Sequence, residues 1–244
     1  MLGYVIYGEG PKRPATGFRE IRGGRFSTLT VRAAARPFGL ITRRRVERAL
    51  LRWRETGVRR AVFPVDFPYT ALALQAGIRP VDTMPLRRAL AAPVTRIRLR
   101  EMGLLPTEAV AAVAAEEVSE EVRRTVSELA GSCRYVMLSA GRGGEELAAS
   151  LWRERGVSLL LQPTHQQLEQ ADALLLYAPR PELTLGNWIV YALYPGEKQL
   201  QLPLLLPDRP ENQVEDNCDR EQLAAALYGM GVMPLEAFFK EIRC

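Results

Sequence analysis

Hydrophobic and polar positions follow one order twice along this chain: a helix, a short apolar strand, a turn, a helix, a strand and a helix. The first copy covers residues 42 to about 90, and the second covers residues 119 to about 171. The helical segments carry apolar residues at three- and four-residue intervals, as at Val46, Leu50 and Trp53, whereas the strands are short continuous apolar runs. This alternation predicts a parallel α/β structure, in which ligands bind at the carboxyl ends of the strands.

The predicted fold is α/β, with two Rossmann-like helix-strand-helix-strand halves, mainly parallel sheet, and a C-terminal β-hairpin with short helices. The expected divisions are a basic N-terminal half at 1–103, a βαβαβ half at 104–180, and residues 181–244 packing on that second half. The hairpin is expected from strands at 188–194 and 199–206, and the helices that follow are expected at 220–228 and 234–242. The pattern leaves open whether the halves form two lobes or one continuous sheet.

Several local elements are predicted from capping and turn residues. Residues 108–130 are expected to form one or two helices, the second capped by Ser119. Thr42 is expected to cap the first helix of the first copy, because its hydroxyl can accept a hydrogen bond from an amide of the first turn. Residues 8–24 are expected to be a loop between two strands, because glycine and proline interrupt regular structure there.

The charge of the chain is unevenly distributed. Residues 1–100 contain 21 Lys and Arg against 6 Asp and Glu, whereas residues 101–244 contain 12 against 22. A basic half can bind nucleic acid or an acidic partner, but complementary halves and an arginine-rich codon usage would give the same asymmetry. The arginine-rich first helix has few aromatic neighbours, and no zinc-finger spacing or RNP-like pattern occurs. Nucleic-acid binding therefore rests on charge alone.

Cysteine and histidine are scarce. The three cysteines, Cys133, Cys218 and Cys244, are widely spaced, and His165 is the only histidine. This composition argues against a disulfide framework and a His-rich metal site, and it fits reduced thiols in the cytoplasm. A signal peptide and membrane-length apolar runs are also missing. The expectation is a cytoplasmic protein with no metal site, no firmly implied cofactor, no membrane association and an open oligomeric state.

A glycine-rich turn is the sharpest local motif. It lies between a predicted strand and a predicted helix and reads SAGRGGEE at residues 139–146. The amides of Gly143 and Gly144 can bind a phosphate at the start of the helix, and Arg142 can offer a forked donor. Over about ten residues the spacing resembles the phosphate turn of shikimate-dehydrogenase-like Rossmann domains, which implies a nucleotide or NAD(P) ligand. The longer G-x-G-x-x-G pattern is not met, because its third position falls on Glu146. A purely structural turn, with acidic residues complementing the helix dipole, is the other interpretation.

Three further polar residues have two interpretations each. Asp66 follows the strand of the first copy, where the glycine turn follows that of the second, and it is either a ligand contact or a helix cap. His165 is either an acid–base group or a surface residue in a helix capped by Thr164 and Gln167. Cys133 precedes a core strand and is expected to be buried packing and not a nucleophile.

The leading hypothesis is a small-molecule-binding protein or cofactor-independent enzyme with an anionic ligand at the strand carboxyl ends. The predicted ligand contacts are Asp66, Ser139, Gly141, Arg142, Gly143 and Gly144. One alternative is a nucleotide- or NAD(P)-dependent enzyme that uses the turn at 139–144. The other is a non-catalytic interaction protein whose basic half binds nucleic acid or an acidic partner. The sequence does not identify a catalytic residue.

Overall fold

Parallel strand pairing organises this α/β chain around two five-stranded sheets. The computed structural model describes residues 1–33, 39–196 and 214–238. The described residues form two compact units: residues 1–33, 39–83 and 214–238 belong to unit 1, and residues 84–196 belong to unit 2. The described strands of each unit form one sheet, so these ten strands do not join into a continuous sheet.

The strands are β1 (Leu2–Gly8), β2 (Ala15–Ile21), β3 (Gly24–Arg32), β4 (Arg60–Val62), β5 (Arg79–Pro80), β6 (Val110–Glu117), β7 (Tyr135–Arg142), β8 (Leu160–Leu161), β9 (Ala173–Leu176) and β10 (Ile189–Ala192). The α-helices are α1 (Leu40–Glu55), α2 (Thr70–Gln75), α3 (Met84–Glu101), α4 (Glu120–Ala130), α5 (Gly144–Arg155), α6 (His165–Glu169) and α7 (Arg220–Gly229). Short 3-10 turns occur at Pro106–Glu108 and Leu235–Phe238. In the described residues no helix combines the length and apolar character needed to cross a bilayer.

The sheet of unit 1 has the strand order β2-β3-β1-β4-β5, and all neighbouring pairs except β2–β3 are parallel. The predicted loop at 8–24 is therefore wrong over residues 15–21, which form β2. Arg22 and Gly23 connect β2 to β3 with positive φ angles of 51° and 84°, as a two-residue hairpin requires. The strand lacks an apolar signature because most of its residues are exposed at the sheet edge.

Helix α1 packs on this sheet through Val46, Leu50 and Trp53, which are buried. The indole Nε1 of Trp53 donates a hydrogen bond of 2.8 Å to the hydroxyl of Ser27 inside the core. The helix begins at Leu40 with Gly39 as its N-cap, so the predicted cap at Thr42 is wrong. Thr42 lies in the first turn of α1, because the helix begins two residues before it, at Leu40.

The described C-terminal residues pack on unit 1. The amide of Val65 donates to the carbonyl of Asn217 at 2.9 Å, and the amide of Asp219 donates to the carbonyl of Phe63 at 3.2 Å. Asp219 also caps α7. The expected packing of 181–244 on the second half is therefore not what residues 214–238 show, because their hydrogen bonds go to β1, β2 and the residues that follow β4, all in unit 1.

The predicted C-terminal hairpin falls partly outside the described residues. Its first strand corresponds to β10, which pairs in parallel with β9. Its second strand, at 199–206, and the end of the last predicted helix lie outside the described residues.

All strand pairs of unit 2 are parallel, in the order β10-β9-β6-β7-β8. The predicted helix over the first part of 108–130 is wrong, because residues 110–117 form β6 at the centre of this sheet. Residues 111–115 are all buried, so tertiary burial of both strand faces overrides the helix propensity of alanine. The predicted cap of α4 by Ser119 is confirmed, as its hydroxyl accepts a hydrogen bond from the amide of Val122.

Helix α3 belongs to unit 2, where it packs against α4, β9 and β10. It continues as a helix through Pro93 to Glu101. The units therefore divide between Thr83 and Met84, whereas the sequence pattern predicts a division at 103/104.

We expect Gly3→Ala to lower the free energy of unfolding by about 1–3 kcal/mol through overpacking. A Cβ atom at this position of β1 would lie 2.6 Å from Cη2 of the Trp53 indole. Gly8→Ala is the matched control on the same strand, because its Cβ would meet no atom within 4 Å. Urea denaturation followed by circular dichroism measures both variants, and equal stability of the two would contradict this account of the core.

Candidate functional site

The strand order of unit 2 reverses between β6 and β9. The chain passes from β6 to β7 and β8 on one side, and then returns through α6 to place β9 on the other side of β6. Open α/β sheets bind ligands at such a reversal, beyond the carboxyl ends of the two strands. Here β6 ends in Glu116 and Glu117, and Tyr177 follows β9, with its amide bonded to the carbonyl of Ala114 at 2.8 Å.

A cavity of about 270 Å³ lies at this reversal, close to the lower end of the range of about 300–1,000 Å³ that is usual for ligand sites. We call it the switch crevice. Its polar lining residues are Arg88, Glu116, Glu117, Ser119, Glu121 and Tyr177. Alanine, valine and proline side chains complete the wall, so the crevice combines an apolar surface with several hydrogen-bonding groups.

Arg88 is held in place by three neighbours. Its Nε donates to the carbonyl of Leu193 at 2.8 Å, and its Nη1 donates to Oε2 of Glu121 at 3.2 Å. The guanidinium carbon lies 5.7 Å from the ring centroid of Tyr177, within cation–π range. This arginine therefore stiffens one wall of the crevice and neutralises one of its carboxylates.

Tyr177 forms an uncharged wall of the crevice. Its hydroxyl shares a 2.6 Å hydrogen bond with Oγ1 of Thr125, and both side chains are buried. Burial raises the pKa of Tyr177 to about 12, so the phenol stays protonated at neutral pH. The ring offers a flat apolar surface to a ligand, whereas the hydroxyl serves the packing of α4.

Carboxylates surround the first strand-to-helix turn of unit 2. Glu116, Glu117, Glu120 and Glu121 fall within six residues, and Ser119 already caps α4. A dinucleotide of the Rossmann type would place its pyrophosphate at this turn, after the first strand of the unit. The carboxylates would repel it, and the turn lacks the glycines that let phosphate approach the backbone. These residues do not fit a dinucleotide phosphate, and they suit a ligand with hydroxyl or ammonium donors.

The predicted glycine turn at 139–144 is shorter in the structure, because residues 139–142 are the last four residues of β7, the second strand of the unit, Gly143 is the N-cap of α5 and Gly144 is its first residue. A Cβ on Gly141 would lie 2.8 Å from the carbonyl oxygen of Glu116 on β6. Gly143 is the N-cap of α5 with a φ of 79°, and its Cβ would lie 3.1 Å from Cβ of Val118. Two of the three glycines therefore allow close packing against β6 and the residues that follow it.

The polar side chains of this turn have protein partners. Arg142 donates to Oε2 of Glu117 at 2.7 Å, and the hydroxyl of Ser139 accepts from Nη2 of Arg180 at 3.4 Å. Glu117 would compete with an anion for Arg142, although only Nη2 of the guanidinium is bonded to it. Anion binding by Ser139, Gly141, Arg142, Gly143 and Gly144 stays a prediction.

Asp66, the remaining predicted contact, lies in unit 1, whereas the glycine turn lies in unit 2. Its Oδ1 accepts from Nδ2 of Asn217 at 3.2 Å, and the same amide nitrogen donates to the carbonyl of Tyr7 at 2.9 Å. Asp66 does not cap α2, which begins at Thr70 with Tyr69 as its N-cap. It stands where the strand order of unit 1 reverses, between β1 and β4, and residues 215–222 cross that position.

The other predicted candidates have ordinary surroundings. His165 is exposed at the start of α6, where Thr164 and Gln167 form the predicted capping box. Cys133 is half-buried, and burial raises the pKa of its thiol. Among the described residues no three His, Cys, Asp or Glu side chains come close enough to hold a metal ion.

The switch crevice contains residues that the sequence motifs do not reveal. Arg88 and Tyr177 are far from Glu116 in sequence, and Glu116 was assigned to a helix. The missed signal is the apolar run Val110–Ala115, which lacks the polar face that an amphipathic helix needs.

No family model matches the chain, and a search of curated proteins finds no match. Among solved structures, the catalytic subunit of M. jannaschii aspartate transcarbamoylase is 12% identical, with a TM-score of 0.37 and coverage of 99% of this chain and 85% of that chain. L-Tryptophan dehydrogenase from Nostoc punctiforme is 13% identical, with a TM-score of 0.34 and coverage of 72% and 53%. The alignment thus spans about half the length of that dehydrogenase. At this level the similarity does not extend beyond the α/β architecture.

We expect Gly141→Ala to lower the free energy of unfolding by about 1–3 kcal/mol, because its new Cβ would press on the backbone of β6. Gly144→Ala is the control in the same turn, since its Cβ would make only ordinary contacts, the nearest at 3.8 Å. The control should change stability by less than about 1 kcal/mol. Urea denaturation compares the two, and equal losses would show that the glycines do not serve the packing described here.

Proposed function

We propose that this protein binds a small polar molecule in the switch crevice of unit 2. The supporting observation is the cavity of about 270 Å³ at the reversal of strand order, the position at which open α/β sheets bind ligands. The proposal keeps the prediction of a small-molecule-binding protein. The proposed ligand contacts are the residues that line the switch crevice and not Asp66 or the turn at 139–144. A cytoplasmic location, inferred from the few scattered cysteines, belongs to the same proposal.

Charge suggests the chemistry of this ligand. Glu121 is paired with Arg88, and Glu117 is paired with Arg142. Glu116 lines the crevice and is exposed, and its carboxylate makes no hydrogen bond or ion pair with any described residue. It is therefore the carboxylate available to a ligand, and it favours an ammonium or hydroxyl group. The ring of Tyr177 would support the apolar part of the same molecule.

The proposed role is binding, because among the described lining residues the hydroxyl of Ser119 meets the carboxylate of Glu121 only at a long 3.5 Å and already accepts the amide of Val122 as the cap of α4. Tyr177 is protonated and bonded to Thr125, and Arg88 is committed to its own contacts. A nucleotide- or NAD(P)-dependent reaction draws no support from the crevice, where carboxylates line the turn that would meet a phosphate.

A second candidate function is the binding of nucleic acid or another polyanion by α1. Arg44, Arg48 and Arg52 recur every four residues along one side of this helix, and all three are exposed. Their side chains make no hydrogen bond or ion pair with the described residues, although Glu47 and Glu55 lie on the same helix. Unpaired arginines at this spacing support contact with successive phosphates.

The switch crevice is tested by thermal melting against amino acids, polyamines, amino sugars and nucleosides. A ligand of this class should raise the melting temperature, because binding to the native state stabilises it by mass action. Glu116→Gln should weaken that ligand about 10- to 100-fold, the loss expected for one charge-assisted hydrogen bond. Ala178→Leu should block the crevice, since Ala178 is one of its wall residues.

Glu146→Gln provides the matched control, because Glu146 is exposed on α5 and does not line the crevice. The proposal fails if Glu146→Gln weakens the ligand as much as Glu116→Gln does. It also fails if no compound of the panel changes the melting temperature.

The polyanion candidate predicts a steep loss of single-stranded RNA affinity with salt. Replacing Arg48 and Arg52 by Gln should reduce the slope of log K against log salt by about 1–2, roughly 0.7 for each lost phosphate contact. Arg100→Gln is the control, because Arg100 is exposed on α3 and outside this stripe. Fluorescence anisotropy at several salt concentrations gives the slopes, and an unchanged slope in the double variant would count against α1.

A further inference from the structure

Unit 1 contains a second cavity, of about 290 Å³, which we call the basic cleft. Three cationic side chains line it: Lys12, Arg32 and Arg45. Thr42 also lines it, and Val31 and Val46 belong to its apolar wall. Neither Asp nor Glu is among the described lining residues, so this cavity has the opposite charge to the switch crevice.

The fold brings these cations together from three parts of unit 1. Arg32 is the last residue of β3, and it pairs in register with Gly8 at the end of the parallel strand β1. Lys12 lies in the connection between β1 and β2, whereas Thr42 and Arg45 lie on the first turns of α1. The basic cleft is therefore at the carboxyl edge of the parallel strands, where ligands of α/β proteins bind.

No described residue neutralises the positive charge of the cleft. The side chains of Lys12, Arg32 and Arg45 make no hydrogen bond or ion pair with any described residue. Glu9 and Glu47 are close in sequence, but neither lines the cleft. Like charges around one small cavity repel one another, and a bound anion would relieve that repulsion.

The first turn of α1 adds backbone N–H donors, which favour an anion as the three cationic side chains do. The first intrahelical hydrogen bond runs from the amide of Arg43 to the carbonyl of Gly39. The amides of residues 40–42 precede it and have no acceptor on the helix. Gly39 supplies no capping side chain, and the first turn has no acidic residue. In contrast to α4, this helix has neither a capping hydroxyl nor carboxylates to occupy the amides.

We infer that the basic cleft binds the phosphate group of a small phosphorylated metabolite. Two arginines offer forked donors that match phosphate oxygens, Lys12 adds a point charge, and the hydroxyl of Thr42 adds one more donor. Val31 and Val46 provide an apolar wall for a short organic body. The volume is at the lower end of the range for ligand sites, which fits a phosphate monoester of a few carbon atoms and leaves no room for a dinucleotide.

Calorimetric titration of the full chain with inorganic phosphate, glycerol 3-phosphate, glycerol and malonate tests this inference at low ionic strength. Both phosphates should bind and glycerol should not, and malonate should bind more weakly, because a carboxylate pair lacks the compact tetrahedral oxygens of phosphate. Arg32→Gln and Arg45→Gln should each raise the Kd for glycerol 3-phosphate about 10- to 100-fold.

Three further variants test whether the cleft is a specific site and whether it is independent of the switch crevice. Arg48→Gln changes the same charge one turn along α1, outside the cleft, and should alter the Kd less than about threefold. Thr42→Val keeps the charge and shape but removes the hydroxyl, and it should weaken binding up to about tenfold. Glu116→Gln should leave phosphate binding unchanged, so the result does not depend on the switch crevice.

Three results would overturn the inference. Equal losses in Arg45→Gln and Arg48→Gln would show diffuse attraction to a basic surface. Equal affinity for malonate and glycerol 3-phosphate would show no selection for phosphate. Binding of single-stranded RNA without binding of either small phosphate would assign these arginines to a nucleic-acid backbone.

Discussion

Parallel strands that are buried on both faces have only their ends free for polar chemistry, and this constraint shapes both units. In β6, residues 111–115 are buried alanine and valine, and the first carboxylates appear where the strand leaves the core. Because all parallel strands of a sheet end at the same edge, Glu116 and Tyr177 become neighbours from distant parts of the chain. Arg32 and Lys12 come together at the corresponding edge of unit 1.

The two edges differ in charge although they arise in the same way. Carboxylates follow β6 in unit 2, whereas lysine and arginine surround the end of β3 in unit 1. The uneven charge of the sequence, with 21 Lys and Arg against 6 Asp and Glu in residues 1–100, thus has a local counterpart at the basic cleft. The same architecture offers one edge suited to donor-bearing ligands and another suited to anions.

Local patterns in the sequence were sufficient for elements whose determinants are local. The caps by Ser119 and Thr164 each depend on residues within three positions, and both were predicted. The strand β6 was not, because an alanine-rich run favours a helix until burial of both its faces is known. The edge strand β2 is not predicted, because most of its residues are exposed and its sequence therefore lacks the alternating apolar pattern of a strand.

The candidate sites were harder to predict than the fold because their residues meet only through long-range contacts. The glycine motif draws attention to residues 139–144. A Cβ at Gly141 would clash with the carbonyl oxygen of Glu116 on β6, and this contact cannot be foreseen when Glu116 is predicted to be helical. Arg88 and Tyr177 carry no motif, and their relation to Glu116 follows from strand order alone. In the sequence, Lys12, Arg32 and Arg45 are part of a general excess of basic residues. The structure brings them around one cavity, between the end of β3 and the start of α1.

The packing of residues 214–238 on unit 1 also sets an order of events during synthesis. Unit 2 is continuous in sequence and can complete its sheet as soon as β10 has been made. Unit 1 must wait, because Tyr4 donates its hydrogen bond to Glu215, which is 211 residues later in the chain. At ordinary rates of translation this interval is about 10–40 s. During that time the ends of β1 and β4 are without the segment that later forms hydrogen bonds beside them.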